Sequence, residues 1–262
     1  MNRFDFSGVP IEGLATSPQI QAASDWFTRY GYVILDNVES PEKIRSLREE
    51  FFENYKDQIR DQEAADSLEV GARRFMIPLR FSGGLGAPGV FANPYALALI
   101  RSVLDEAAIV DAFGAILSLN GAEQQHIHHD GPILFNSEIS RLLPAYALTY
   151  ALPLVDMNDL SGTTAIWPGS HRRGNYEGQE PLHPEVPAGS CMLWDYRTYH
   201  SGTANRSDHV RPMVYATYAR RWYQDPVNFR KETLPRLVFE PGFIRGLPDD
   251  LRPLFAHVRS TG

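Results

Sequence analysis

From residue 109 to residue 220 the chain is a succession of short extended segments, and this pattern constrains its fold more than any other feature. The segments run 109–119, 145–155, 163–167, 190–196 and 210–220, with a histidine-rich stretch after the first. Turn residues part them, notably Asp156-Met157-Asn158-Asp159, Pro168-Gly169-Ser170 and Asn205-Arg206-Ser207-Asp208. Strands at such spacing predict a β-sandwich or barrel. The first hundred residues read differently. Ser17-Pro18 is an N-cap followed by a first helical residue, and Ile20, Ala23, Trp26 and Phe27 make an apolar face that ends near Gly31. Tyr32-Val33-Ile34-Leu35 is a short buried strand. Ser40-Pro41 opens a second helix, with Ile44, Leu47, Phe51 and Tyr55 on one face, and Asn93-Pro94 a third, with Leu97, Ile100 and Leu104. Residues 58–70 read as an exposed polar stretch, 73–81 as a strand and 82–89 as a Gly-rich loop.

Helices first and strands afterwards imply a mainly β fold with flanking helices (α+β), a helical layer packed on a β-core. No internal repeat or long linker divides the chain. The expectation is one domain over 1–262: a helical layer to about 108, a β-core over about 109–220 and a Pro- and Gly-rich cover over 221–262. A formal charge of −7 without a basic cluster argues against nucleic acid as a partner. No stretch approaches the roughly 20 apolar residues of a membrane span. The single cysteine, Cys191, excludes an internal disulfide and reads as a small buried apolar residue. With no signal-like N-terminal run, the expected setting is cytoplasmic. The oligomeric state is not legible.

The chemistry lies in the stretch Gln124-Gln125-His126-Ile127-His128-His129-Asp130. In an extended segment His128 and Asp130 share a face about 7 Å apart, a pitch that suits adjacent positions on one metal ion. His126 has the same parity, so His126 and His128 are an alternative pair. That pair resembles a cupin motif, but Pro132 and Ile133 stand where such a motif places its Glu. Downstream, residues 187–200 read as a strand ending at His200, and a turn leads to Arg211, so a hairpin can bring the two near one another. Two histidines and a carboxylate at three corners of a metal form the facial triad of non-haem Fe(II) oxygenases. A permanently charged guanidinium can hold a dicarboxylate bidentately.

Three motifs in this order carry a resemblance: Gln125-x-x-His128-x-Asp130; Gly162-Thr163-Thr164-Ala165-Ile166-Trp167-Pro168-Gly169-Ser170-His171; and His200 with Arg211 eleven residues on. The sequence resembles the phytanoyl-CoA dioxygenase family of Fe(II)/2-oxoglutarate-dependent oxygenases, from the strand at Tyr32 to about Arg220. The resemblance implies a double-stranded β-helix, or jelly roll, with iron held by His128, Asp130 and His200 and 2-oxoglutarate by Arg211. It also places Gln125 and Thr164 against the co-substrate. The activity it implies consumes O2, releases succinate and CO2, and oxidises a C–H bond of a small-molecule substrate by hydroxylation, desaturation or ring formation. Related halogenases lack the carboxylate present here as Asp130.

Plainer readings stand beside these. His129 faces away from His128 by strand parity, His171 supports a turn, and Tyr146 and Tyr150 are core tyrosines. Gln125, also of opposite parity, bonds the barrel backbone, and Thr164 suits a strand by propensity. Arg73 and Arg74 form a solvated strand end. A metal- or ligand-binding jelly roll without turnover is the alternative to an active oxygenase; a hydrolytic zinc site would not need Arg211. Specificity is expected in loops 80–90, 132–143 and 222–243, whose mix of aromatic residues and arginines suits a substrate with an apolar body and a polar handle. A small secondary metabolite fits that description better than an acyl-CoA, for which no basic patch is evident.

Overall fold

The computed structural model describes residues 3–60, 67–132, 134–135, 138–225 and 235–258. Its strands are β1 (Arg3–Asp5), β2 (Tyr32–Asp36), β3 (Leu68–Gly71), β4 (Arg74–Pro78), β5 (Arg80–Phe81), β6 (Ile109–Ser118), β7 (Ala147–Pro153), β8 (Thr164–Ile166), β9 (Cys191–Asp195), β10 (His200–Gly202), β11 (Arg211–Ala219) and β12 (Val238–Phe239). Eight of them form one sheet in the order β1-β2-β9-β7-β11-β6-β4-β3, antiparallel except for the β1–β2 edge. The short antiparallel pair β8–β10 forms the facing wall. The result is a double-stranded β-helix with flanking helices.

The helices begin where the caps place them. Ser17 accepts a hydrogen bond from the Ile20 amide (3.2 Å) at the start of the helix Pro18–Tyr30, and Ser40 does the same for Lys43 (3.2 Å) at the helix Pro41–Asn54. Asn93 caps the helix Pro94–Val103 through the amides of Tyr95 and Ala96. Their apolar faces cover one side of the large sheet, where Val33, Leu35, Leu148, Leu152, Leu193 and Val214 form the main core with Ile20, Phe27, Leu47 and Ile100. Side chains two residues apart share a face, so the alternate set in the same strands lines the other side. The first helix ends at Gly31, whose φ of 79° suits glycine. Any Cβ there would collide with Thr198 Oγ1 and His171 Nδ1. This close approach lets the Gly31 carbonyl accept bonds from Thr198 Oγ1 and the Asp195 amide, both at 2.9 Å, which anchors the turn before His200.

Several expectations are corrected. The span 187–200 is not one strand: β9 stops at Asp195, the chain turns and changes sheets, and β10 starts at His200. Nor do β10 and β11 form a hairpin; β10 pairs with β8 and β11 with β6 and β7, so His200 and Arg211 approach from opposite walls. The histidine-rich stretch carries no strand, only an isolated bridge from His128 to His200. The span 58–70 ends in β3, an edge strand paired with β4, while 61–66 lie outside the described residues. So do 226–234 of the expected 222–243 loop and residues 133, 136 and 137 of the 132–143 loop.

C-terminal residues close the open end of the core with aromatic rings. Phe81, fully buried, lies 4.6 Å from Phe113, 4.9 Å from Phe239, 5.0 Å from Phe243 and 5.3 Å from Phe255, centroid to centroid. Phe81→Ala should therefore cost about 3–5 kcal/mol, read from the shift of the urea unfolding midpoint. A loss under about 1 kcal/mol would mean that the C-terminal rings do not form a packed unit with the sheet.

Candidate metal centre

The cavity between the two walls has a volume of about 540 Å³ and is floored by cross-strand rows of the large sheet. Arg74, Ser118 and Arg211 lie side by side on β4, β6 and β11; Met76, Ile116 and Met213 form the next row. Further along, Thr217, Thr149 and Trp194 face one another across β11, β7 and β9. The facing wall brings Gln125, Thr164, His200 and Gly202.

His128 reaches the cavity through a reciprocal backbone bridge: its amide donates to the His200 carbonyl (3.0 Å), and the His200 amide donates to the His128 carbonyl (2.8 Å). The two imidazoles lie 4.4 Å apart, centroid to centroid. The Nδ1 of His128 is 2.9 Å from the His126 carbonyl and that of His200 is 3.0 Å from the Thr198 carbonyl. A carbonyl can only accept, so each Nδ1 carries a proton, and in the neutral imidazole it is Nε2 that keeps the lone pair. Asp130 completes the group, with Oδ1 3.5 Å from His200 Nε2, and one ligand atom from each residue lies within 4.8 Å of the others. Two imidazoles oriented by backbone carbonyls and one carboxylate are a donor set suited to a divalent transition metal. Among the described residues it is the one such group of three or more. Burial lowers the His128 pKa, and nearby His200 lowers it further against the pull of Asp130. For Asp130, burial works upward, but His200, His128 and hydrogen bonds from Thr149 and Trp194 hold its carboxyl below the usual range. Neutral histidine beside ionised carboxylate is the protonation state a metal needs.

The other sequence candidates also converge here. Arg211 is 1% exposed and donates to Ser118 Oγ at 2.6 Å. Thr164 is buried on the cavity wall. Gln125 lines the cavity while bonding backbone, its Nε2 donating to the Val70 carbonyl (2.8 Å) and its Oε1 accepting from the Gly202 amide (3.1 Å). Strand parity does not hold in this irregular stretch, so His129 also lines the cavity, with Nδ1 2.6 Å from the Gly131 carbonyl. His126 is exposed at the cavity and lies outside the cluster. His171 is buried against the Thr28 carbonyl, Tyr150 lies in the main core, and Tyr146 packs on Tyr196 and Tyr223.

Arg74 overturns its reading as a solvated strand end. It is 1% exposed, whereas Arg73 is exposed and donates to the Asn120 carbonyl. The reason is tertiary: Ser118, Glu123 and Thr203, all distant in the sequence, surround the Arg74 guanidinium. Arg74 Nη1 donates to Ser118 Oγ (2.5 Å), and Nη2 to the carbonyls of Thr203 (2.7 Å) and Glu123 (3.1 Å). Among the described residues neither guanidinium has a carboxylate partner, and Nε of each is buried without a hydrogen bond. Burial pushes the Arg74 pKa down to about 10; burial and neighbouring Arg74 push that of Arg211 down to about 9. Two buried, uncompensated positive charges side by side make a site for an anion.

Against known proteins, a family model described as "Phytanoyl-CoA dioxygenase (PhyH)" matches residues 27–213. "Dioxygenase af480" of Aspergillus fumigatus is 28% identical over 137 residues, 50% of this chain and 43% of that protein. "Dioxygenase aneA" of Aspergillus aculeatus is 31% identical over 100 residues, 35% of this chain and 33% of that protein. The chain thus spans less than half the length of these curated relatives. Among solved structures, the non-heme alpha ketoglutarate dependent epimerase SnoN from nogalamycin biosynthesis superposes with a TM-score of 0.55 at 20% identity, covering 76% of this chain and 80% of that one. The same epimerase in complex with Fe3+, alpha ketoglutarate and nogalamycin RO gives a TM-score of 0.53 at 20% identity, over 76% and 83% of the two chains. At that identity the likeness is one of fold.

The lowered His128 pKa has a sign that can be checked. As pH falls through the ordinary histidine value of 6.5, the unfolded chain takes up its proton before the folded chain does. Stability of the metal-free protein should therefore drop as pH falls below about 6.5 and level off below the depressed folded value. His128→Gln should flatten that part of the profile, measured as urea midpoints from about pH 5 to about pH 7.5.

Proposed function

Because this chain belongs to the phytanoyl-CoA dioxygenase family, we propose that it is an Fe(II)- and 2-oxoglutarate-dependent oxygenase acting on a small organic substrate. One observation carries the reading: a neutral-histidine, carboxylate, histidine cluster shares its cavity with two buried guanidiniums that have no acidic partner among the described residues. A plain metal-binding fold would have no use for the second half of that arrangement. In this reading His128 Nε2, Asp130 Oδ1 and His200 Nε2 hold the iron. Arg211 and Arg74 receive the carboxylate of 2-oxoglutarate that is not at the metal, with Ser118 fixing the spacing of the two guanidiniums. Gln125 and Thr164 flank the co-substrate. When bound, Fe(II), 2-oxoglutarate and O2 supply an oxidative decarboxylation, giving succinate and CO2, that drives oxidation of a substrate C–H bond.

The remaining lining supports a substrate with an apolar body and a polar handle. Leu68 and Val70 of β3 offer apolar surface, while Glu69, His126 and His129 add polar groups. Among the described lining residues the cations are Arg74 and Arg211, both buried and committed to the co-substrate, which disfavours an acyl-CoA. A secondary metabolite that undergoes hydroxylation, desaturation or ring formation fits best. A cytoplasmic setting, whose reducing thiol pool keeps iron ferrous, suits both the centre and the buried, unpaired Cys191.

Binding of 2-oxoglutarate to the Mn(II)-loaded protein by calorimetry is the direct test, followed by a metabolite screen for substrate-stimulated succinate release with Fe(II). Arg211→Ala should weaken 2-oxoglutarate binding at least about thirtyfold, since truncating one partner of a buried charge pair costs about 2–5 kcal/mol. Arg74→Ala should weaken it at least about tenfold. Metal uptake should survive both changes. Wild-type protein that takes up metal but not 2-oxoglutarate would instead be a metal-binding jelly roll without turnover.

A further inference from the structure

Asp130 does not stand alone at the cluster. Thr149 Oγ1 donates to its Oδ2 at 2.8 Å, and Trp194 Nε1 donates to the same oxygen at 2.9 Å. Both donors are buried, at 6% and 4% exposure. They arrive from neighbouring strands at one level, because Thr149 of β7 is the register partner of Trp194 of β9. Oδ1 is the oxygen turned toward His200 Nε2. A carboxylate oxygen offers about two lone-pair directions, and on Oδ2 these two donors use both. The indole N–H can only donate, so the Trp194 bond has one polarity. The Trp194 ring also lies 5.1 Å from the His200 ring, tying the carboxylate and an imidazole to one rigid side chain.

We propose that Thr149 and Trp194 are positioning residues that confine Asp130 to a single oxygen at the metal and so keep one coordination position open. The proposal rests on the metal-centre reading above. If Asp130 closed both oxygens onto an ion, the ion would take a lone-pair direction on Oδ2 that one of the two buried donors now uses, so the two-oxygen mode is disfavoured by the protein and not by the ion. A centre that must admit both oxygens of a bidentate co-substrate and still leave a site cannot spare that position. Held at one oxygen each, three protein ligands leave three positions on a six-coordinate ion; a chelating Asp130 leaves two.

The test counts water at the metal. Mn(II) is titrated into wild-type protein and into Thr149→Val, Trp194→Phe and the double variant. Bound-state water-proton relaxivity and 2-oxoglutarate affinity of the Mn(II) complex are then read, with thermal unfolding of the metal-free proteins alongside. In the double variant the bound-water contribution should fall by about one-third, as a second carboxylate oxygen replaces one of three waters. Affinity for 2-oxoglutarate should fall at least about tenfold although Arg74 and Arg211 are untouched. Each single variant should move part of the way, and Thr149→Ser, which keeps the hydroxyl, should stay with the wild type. Wild-type relaxivity and 2-oxoglutarate affinity in the double variant would overturn the proposal. So would variants that only melt earlier, because a purely structural role changes stability without changing the water count. Wild-type protein that takes up no Mn(II) would sink the metal-centre reading and this proposal together.

Discussion

The reciprocal backbone bridge between His128 and His200 is the contact on which the rest of the site depends. It is two hydrogen bonds of 3.0 and 2.8 Å that join an irregular loop to a three-residue strand. Together with the bonds from the Gln125 amide to the Gly202 carbonyl and from the Gly131 amide to the Tyr196 carbonyl, both 2.9 Å, it fixes the register of the loop from Gly121 to Gly131, so that two imidazoles 72 positions apart in the chain face a common point. What holds His200 at that level is the turn anchored on Gly31, where helix, strand and turn meet too closely for any side chain. The N-terminal helix therefore does more than cover the sheet. The glycine that caps it, Gly31, anchors the turn that leads to a site residue.

Electrostatics divides the cavity into two regions of opposite demand. At one level a carboxylate is kept ionised by neighbouring histidines and two hydrogen-bond donors, which prepares a position for a cation. At another, two guanidiniums share a single serine hydroxyl and have no acidic neighbour among the described residues, which prepares a position for an anion. Burying either region unfilled costs folding free energy, as buried charges lacking a counter-charge do. Such unrelieved cost, placed in a cavity and not in the core, is characteristic of binding sites. The tight helix-covered core on the opposite face of the same sheet offsets that cost. There Val33, Leu148, Leu193 and Val214 pack in one apolar cluster.

Much of this was legible in the linear chain because it is local. Ser17-Pro18, Ser40-Pro41 and Asn93-Pro94 act through bonds to residues two or three positions away, so the helix starts follow from the sequence alone. The long strands follow from apolar runs; for His128 and Asp130 the two-residue spacing left His126 and His128 as an alternative pair, and the motif Gln125-x-x-His128-x-Asp130 of the family resemblance singled them out. Arg74, Ser118, Thr149 and Trp194 were not legible. Arg74 reads as a strand-end arginine until Ser118, Glu123 and Thr203, brought in from distant parts of the chain, surround its guanidinium. Thr149 and Trp194 gain their meaning from being register partners beneath a carboxylate that lies 19 and 64 positions away.

The break between β9 and β10 shows the same limit from the other side. An unbroken strand from Pro187 to His200 satisfies local propensity; the turn at Asp195 exists because the chain must cross from the large sheet to the small one, and Gly31 receives it. Sequence by itself determined where the three long helices start, that 109–118, 147–153 and 211–219 are extended, and which residue types could hold a metal and a dicarboxylate, since each depends on near neighbours. Only the tertiary structure decided which face each residue meets, that a second arginine joins the first, and which oxygen of Asp130 faces His200. Those outcomes depend on register between strands distant in the chain, and register is a property of the assembled sheet.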